Sequence, residues 1–402
     1  MDTTVPLPPA ADNPTLFADA ARAILDPSGL GPINRVPLIP ESARRRHRVF
    51  IPADHRFKAA ARFLQALWRE DRGLAIGTHV NCREPHRPRR LGSRISTAAG
   101  ALGANFLHPD ILPVVTRALA YREPGAAYDV DRLKTNLLSS QPLAFNLFGL
   151  LARDLTQATR FVTELLPGTL TEVTDVLFEH SPGRGDARFT ADRTAYDVVL
   201  RGRSPNGGRA FICIEIKYSE SGHEPAPPPH PRHAQIAHTT PSLFVDPNDP
   251  TLTRSVCQQF YRQHCLAAAT LRAGLADTAT FVFLAPAPNV TAHKAAATYA
   301  RHLTDPQAGP IPFIPLTLEH TFAALAAAGL TDHARALHRR YTDFWLVDGE
   351  LDLAAAATSD TIPSQDEASS TARKPTRTRK LPTPRDPSLA TQRMTRPAAR
   401  AA

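Results

Sequence analysis

The sequence has little cysteine and no long apolar run. Its 402 residues include four scattered cysteines, Cys82, Cys213, Cys257 and Cys265. This spacing does not form a disulfide framework and is typical of proteins in a reducing compartment. No apolar stretch is long enough to span a bilayer, and residues 1–14 lack the basic and apolar regions of a secretory signal. The sequence therefore predicts a cytoplasmic protein with no membrane partner.

Acidic residues are scarce at the C-terminus. Residues 368–402 contain nine lysines and arginines against one acidic residue, Asp386, and so hold almost all of the chain's formal charge of +9. The segment is also rich in Pro, Thr, Ser and Ala, so we expect residues 351–402 to form a disordered basic tail. Such a tail either attracts phosphate groups in a salt-dependent way or is an ordinary solvated extension.

The residues before the tail are predicted to form three regions. Residues 1–50 are rich in proline and are predicted to be an arm with one short helix, from Thr15 to Leu25. The arm ends in a basic run, Arg44–Arg48. Apolar residues then repeat at helical spacing, so residues 51–135 are predicted to be a helical region. The main domain is expected to be residues 136–350.

The segment from Ala210 to Tyr218 has the composition of a buried strand, interrupted by two charges. β-branched and aromatic residues fill most of it. Side chains alternate between the faces of a strand, so Glu215 and Lys217 share one face. Charged side chains in an apolar strand are costly to bury unless they pair or bind a ligand. The two residues are therefore either a functional site or a structural ion pair.

A preceding apolar run, Tyr196–Leu200, is predicted to form a β-hairpin with this strand through the turn residues Ser204–Gly208. A two-residue turn would place Asp197 on the opposite face from Glu215. A three-residue loop shifts the register by one residue and brings Asp197 to the same face, opposite Glu215 or Lys217. If Asp197, Glu215 and Lys217 form one site, the hairpin must have a loop of odd length or a bulge, and this is what we predict.

An aspartate followed by Glu-x-Lys on the next strand of a hairpin is the arrangement of the PD-(D/E)XK nuclease superfamily, which this chain resembles. Tyr196 stands where the motif's name has proline. The resemblance covers about residues 136 to 289, and this stretch is similar to a bacterial family of restriction-endonuclease-like proteins. Four segments carry that similarity: Asn136–Pro142, Phe145–Gly149, Glu179–Arg184 and Glu215–Tyr218.

The resemblance implies an α/β fold, in which a mixed four-stranded sheet is flanked by helices in the order αβββαβ. Periodicity and turn signals predict elements in that order. They are a helix at Ser140–Leu166, a strand at Glu172–Glu179, the hairpin, a helix at Leu252–Gly274 and a strand at Ala279–Leu284. A further strand near Ile314–Leu318 and helices at 291–303, 320–329 and 332–345 are expected to pack around this core. Residues 221–249 are predicted to be an irregular loop.

The resemblance also implies an endonuclease that hydrolyses phosphodiester bonds of DNA with Mg²⁺, for which Mn²⁺ can substitute. Asp197 and Glu215 would bind the metal ion, and the backbone carbonyl of Ile216 would complete its ligands. Lys217 would orient the attacking water and stabilise the charge on the phosphoryl group. RNA is an alternative substrate, and a restriction or defence role and a homodimer are compatible with the family. The alternative function is a nuclease-like protein that binds nucleic acid without cutting it.

Three further features are candidates for contact with the substrate. Glu179 is either a third carboxylate of the site or an exposed strand end. Gln258 precedes Tyr261 by three residues in a run that resembles the glutamine-bearing helix of some members, although the RecB-like branch has a spacing of four. The basic loop from Arg83 to Arg94 is either the part of the N-terminal region that faces the nucleic acid or an ordinary solvated loop.

Overall fold

The computed structural model describes residues 35–81, 84–220 and 228–359, together with Leu25 and Ile33. The predicted N-terminal helix, apart from Leu25, and the predicted tail beyond residue 359 lie outside the described residues. Contacts divide the chain into two units, residues 1–355 and 356–402, and the site discussed below belongs to the first. No helix among the described residues is long and apolar enough to cross a membrane.

The N-terminal part combines helices with a β-hairpin. Its elements are α1 (Glu41–Arg46), α2 (Arg56–Asp71), β1 (Ile76–Asn81), β2 (Glu84–Ile95), α3 (Thr97–Ala101), α4 (Ile111–Ala120) and α5 (Val130–Thr135). The predicted basic loop is therefore mostly strand β2, and the loop prediction was wrong. Both strands of a two-stranded sheet are edges, which tolerate proline, so Pro85 and Pro88 do not prevent a strand. Residues 36–49 also differ from the predicted arm, because Val36, Ile39, Ala43 and Val49 pack into the main core.

The main part contains five strands and eight α-helices among the described residues. They are α6 (Ser140–Phe148), α7 (Leu155–Leu165), β3 (Glu172–His180), β4 (Tyr196–Arg203), β5 (Arg209–Ile216), α8 (Pro231–Thr239), α9 (Ser255–Arg272), β6 (Thr278–Ala285), α10 (Val290–Ala300), β7 (Phe313–Thr317), α11 (Leu318–Ala327), α12 (Thr331–Tyr341) and α13 (Trp345–Ser359). Residues 351–359 are thus helical, where the sequence predicted the start of a disordered tail.

Two predicted segments have a different local structure. The single helix predicted at Ser140–Leu166 is two helices. The first, α6, ends at Phe148, and Asp154 caps the start of α7 by accepting a hydrogen bond from the Gln157 N–H at 3.0 Å. The predicted irregular loop at residues 221–249 contains α8. The His230 side chain accepts a hydrogen bond from the N–H of Arg232, and Pro231 occupies the first turn of that helix.

The central sheet has the strand order β3-β4-β5-β6-β7. The first three strands are antiparallel, and β5, β6 and β7 are parallel. The α/β class and the order helix, three strands, helix, strand are confirmed. The sheet has five strands rather than four, because β7 adds to its edge beside β6.

The two faces of β5 enter two different cores, as the alternation of its side chains requires. Ile212, Ile214 and Ile216 face a core built with α6, α7 and α11. Phe211 and Cys213 face a second core, which is built with α9 and α10. Helix α9 therefore covers the face of the sheet that carries Glu215 and Lys217.

Candidate active site

The hairpin of β4 and β5 places Asp197 directly opposite Glu215. The ladder pairs Val198 with Ile214 and continues to Arg203 with Arg209, so Asp197 is the next residue beyond its last pair. Ser204 N–H donates to the Gly208 carbonyl at 2.8 Å, which leaves a three-residue loop between them. The predicted odd loop length is confirmed. Directly opposed residues of neighbouring strands point to one face, so the register brings the two carboxylates together.

Glu215 and Lys217 form a close ion pair in a mostly buried setting. Lys217 Nζ lies 2.8 Å from Glu215 Oε1, and the side chain of Lys217 is 15% exposed and that of Glu215 4%. Burial lowers the pKa of Lys217, but the carboxylates of Glu215, Glu220 and Asp197 outweigh it, so the net effect raises the pKa. The lysine is therefore a permanent cation at neutral pH.

Asp197 is a carboxylate that resists ionisation. Its Oδ2 accepts a hydrogen bond from the Ile216 N–H at 2.8 Å. Burial first, and then repulsion by Glu215, hold the pKa of Asp197 well above its usual range, although Lys217 and the Ile216 hydrogen bond act in the opposite direction. A cation bound beside Asp197 would remove this penalty, because an opposite charge favours the ionised form.

Helix α9 provides two glutamines that hold Glu215 and Lys217 in place. Gln259 Nε2 donates to Glu215 Oε1 at 2.6 Å, and Gln259 Oε1 accepts from Lys217 Nζ at 2.7 Å. Gln263 Nε2 donates to the other oxygen, Glu215 Oε2, at 2.6 Å. Gln259 and Gln263 are four residues apart and so share one face of the helix. That spacing is visible in the sequence, but it does not show which face of the helix meets the sheet.

Gln258, the glutamine chosen from the sequence, is buried and lies about 100° around the helix from Gln259. Its catalytic role stays a prediction.

We expect Gln259→Ala to lower the rate of the phosphodiester hydrolysis expected from the sequence about 10- to 100-fold, because residues that orient ligands and charged groups typically contribute that much. Gln258→Ala is the matched variant, measured in the same assay with folding checked by circular dichroism. A larger loss in Gln258→Ala than in Gln259→Ala would reverse this assignment.

Glu179 lies at the level of Asp197 on the neighbouring strand. The pairs Phe178–Val198 and His180–Tyr196 place Glu179 opposite Asp197. Its backbone has φ of 49°, in the left-handed region, and its Oε1 accepts a hydrogen bond from the Ala127 N–H at 3.3 Å. Burial, followed by smaller contributions from Glu215 and Glu123, raises the pKa of Glu179, and Arg184 opposes the increase. Three carboxylates thus occupy one level across β3, β4 and β5.

The residues at this level suit a hard divalent cation. Asp197 and Glu215 offer carboxylate oxygens, which such cations prefer. A carboxylate has roughly four lone-pair positions, and Gln259, Gln263 and Lys217 use three of those of Glu215, so one remains for a cation. The backbone N–H of Lys217 donates to the Leu284 carbonyl on β6. In the trans peptide between Ile216 and Lys217 the C=O points opposite to this N–H, so the Ile216 carbonyl faces β4 and Asp197. Within the described ranges, no three His, Cys, Asp or Glu side chains could hold a metal ion by themselves. A cation here would need backbone, water or substrate oxygens as well.

A groove of about 720 Å³ runs along β3, and its lining includes both chain neighbours of Glu179 but not Glu179 itself. Phe178 and His180 line it on the strand side, and Tyr121 and Tyr128 line it on the other. Asp197, Glu215 and Lys217 are not among its lining residues. The groove therefore approaches the three-carboxylate level from the edge of the sheet without containing the charged site.

A family model of the PD-(D/E)XK nuclease superfamily matches residues 52–343, which is more than half of the chain. No curated protein and no solved structure matches it. The matched range contains Asp197, Glu215 and Lys217, and it begins well before residue 136, where the resemblance in the sequence motifs begins. The family match, the strand order and the hairpin register agree, so the chain belongs to the PD-(D/E)XK nuclease superfamily.

Proposed function

We propose that this protein is a metal-dependent endonuclease that hydrolyses phosphodiester bonds of DNA. The observation that carries the proposal is the register of β4 and β5. It sets Asp197 opposite Glu215 and leaves Lys217 Nζ 2.8 Å from Glu215. Two carboxylates beside a permanent ammonium group are what this hydrolysis requires: an oxygen site for a cation, and a charge to stabilise the phosphoryl oxygens. A restriction or defence role is part of the same proposal.

Asp197, Glu215 and the Ile216 carbonyl would hold the cation, Mg²⁺ or Mn²⁺. Such a cation, when bound, acidifies water and polarises the phosphoryl group. The donors are all oxygens, which these hard cations prefer. Gln259 and Gln263 orient the Glu215 carboxylate by binding one oxygen each.

Lys217 acts at its ammonium group. An ammonium group has three N–H donors. Glu215 Oε1 and Gln259 Oε1 accept at 2.8 and 2.7 Å, so a third donor can serve a water or a phosphoryl oxygen. The two contacts fix the direction of that donor, which makes the lysine an oriented charge at the reacting phosphate.

The proposed activity is tested by incubating the protein with closed circular plasmid, linear duplex DNA and RNA, with Mg²⁺, with Mn²⁺ or with EDTA. We expect nicking of the closed circle with either metal ion and none with EDTA. Cleavage of RNA alone would change the substrate class. Binding of DNA without cleavage under any metal condition would establish the non-cutting alternative.

The raised pKa of Asp197 predicts how Asp197→Asn changes stability when no metal ion is bound. The pKa of Asp197 is raised in the folded protein above its ordinary value of 3.8. Such a carboxyl group stabilises the folded protein fully when the pH is below 3.8, and this contribution is lost as the pH rises through the raised pKa. At neutral pH in EDTA, Asp197→Asn should therefore melt at a higher temperature than wild type, with the difference vanishing in acid.

Addition of Mg²⁺ at neutral pH should make wild type melt at a higher temperature than Asp197→Asn. It should stabilise wild type by about 2.7 kcal/mol when its concentration is 100 times its Kd, and leave Asp197→Asn nearly unchanged. Asp186→Asn, at a partly exposed carboxylate paired with Arg188, is the control. Equal Mg²⁺ shifts in wild type and Asp197→Asn would remove Asp197 from the metal ligands.

A further inference from the structure

Five exposed arginines meet in a cleft on the N-terminal part of the molecule. The cleft measures about 650 Å³, and its lining residues are Arg45, Arg48, Phe50, Arg87, Pro88, Arg89 and Arg90. The five arginines are called the arginine cleft below. They come from two segments about 40 residues apart, the end of α1 with its following turn and the strand β2. Only the fold brings these two basic segments together.

A close backbone approach joins the two segments. Gly92 N–H donates to the Arg48 carbonyl at 2.9 Å. A Cβ at Gly92 would lie 2.1 Å from the His47 carbonyl oxygen, so only glycine allows this approach. Arg48 has φ of 57°, which turns the chain so that Phe50 runs beside β2, where Arg89 donates to the Phe50 carbonyl.

The cleft keeps its positive charges close together with little compensation. The guanidinium of Arg45 lies 4.1 Å from the centre of the Phe50 ring. Among the described side chains, Glu41 is the one carboxylate in ion-pair distance of the five arginines, at 2.6 Å from Arg45. Like charges held together in this way repel one another, and they create a positive potential that attracts anions.

We propose that the arginine cleft binds the phosphodiester backbone of nucleic acid, as a contact surface separate from the residues that cut. Guanidinium groups bind phosphate oxygens in a two-pronged geometry, and contacts to successive phosphates hold a duplex in register without reading its sequence. The proposal depends on nucleic acid being the ligand of the protein, as in the proposed function, but it does not depend on cleavage.

Helix α2 connects the cleft rigidly to the catalytic strand. On one side, Arg69 Nε donates to the Gly92 carbonyl, and Arg62 Nη1 donates to Ser93 Oγ, both at 2.9 Å. On the other side, Gln65 Nε2 donates to the hydroxyl of Tyr218 at 3.0 Å, next to Lys217. A strand of nucleic acid held in the cleft would therefore have a fixed position relative to the site of cleavage.

The test measures DNA binding in variants that cannot cut, so that its result is separate from activity. Arg87→Ser/Arg90→Ser is made in a Lys217→Ala background and titrated with labelled duplex DNA in EDTA at several salt concentrations. Arg87 and Arg90 are exposed, so the fold should be kept. Kd should rise about tenfold or more at low salt, and the slope of log affinity against log salt should flatten by about 0.9 for each phosphate group that the variant no longer neutralises.

The matched control removes two exposed arginines elsewhere, Arg335→Ser/Arg339→Ser on α12. Equal Kd and slope in the cleft variant and its parent would overturn the proposal, as would an equal loss in the control, which would show an effect of net charge alone. A cleft variant that keeps DNA binding but loses binding to vesicles containing an anionic lipid would assign the cleft to a membrane surface instead. Arg48→Asn, which suits the left-handed backbone, is the second variant and should show the same flattening.

Discussion

Lys217→Ala should lower the rate of DNA cleavage by about 100- to 1,000-fold, the usual loss when one preorganised group that stabilises transition-state charge is removed. Lys217 Nζ is held by Glu215 and Gln259, so its charge is aimed before substrate arrives. The affinity for DNA should change little, because the lysine acts on the reacting phosphate rather than on the length of the backbone. Single-turnover cleavage rates and a binding titration in EDTA separate the two quantities.

Lys294→Ala is the matched control, since Lys294 is an exposed lysine on α10. It should cut at the rate of wild type. Lys217→Ala should also keep its Mg²⁺-dependent increase in melting temperature, because the proposed metal ligands remain. A Lys217→Ala protein that cuts within a factor of a few of wild type would leave Asp197 and Glu215 as a metal site without the mechanism proposed for it.

Arg340→Ala should destabilise the fold by about 3–5 kcal/mol, because it leaves two buried acceptors, Gln65 Oε1 and Asn105 Oδ1, unpaired at about 1–3 kcal/mol each. Arg340 is completely buried. It donates to the carbonyl and side-chain oxygens of Asn105 and, at 3.2 Å, to Gln65 Oε1. Its guanidinium also lies 4.1 Å from the centre of the Trp68 ring. Urea unfolding, followed by circular dichroism, measures the loss.

The neighbouring exposed Arg339 provides the control, and Arg339→Ala should change stability by less than about 0.5 kcal/mol. Arg340→Met separates two opposing effects, because it keeps most of the volume and removes both the charge and its hydrogen bonds. Burial lowers the pKa of Arg340, which is the sign that its charge is costly to desolvate. If Arg340→Met is as stable as wild type, that desolvation cost offsets the hydrogen bonds, and the predicted loss in Arg340→Ala would come from the cavity alone.

The hairpin shows which features of the site can be predicted from the sequence. Alternation along β5 puts Glu215 and Lys217 on one face. The turn residues allow a loop of two or of three residues, and the odd length was predicted because only that register brings Asp197 to the same face. Both the register and the face are observed. Their success has a simple cause: a hairpin is made of residues near one another in the chain.

The glutamines and the arginine cleft show where such rules end. Gln259 and Gln263 contact Glu215 from 44 and 48 residues away, and the sequence does not state how α9 is rotated on the sheet. The choice between Gln258 and Gln259 depends on that rotation, which is set by packing of the apolar residues of α9 in the second core. β2 was predicted as a loop for a related reason, because its strand exists through pairing with β1 and docking at Gly92.

The sequence by itself determined the class of fold, the order of the main elements and the shared face of Glu215 and Lys217, because periodicity acts over a few residues. The tertiary structure alone decided which glutamines hold Glu215, that Glu179 stands level with Asp197, and that two basic segments form one cleft. Each of these depends on contacts between distant parts of the chain, and their geometry is set by the packing of whole helices and strands rather than by any local pattern.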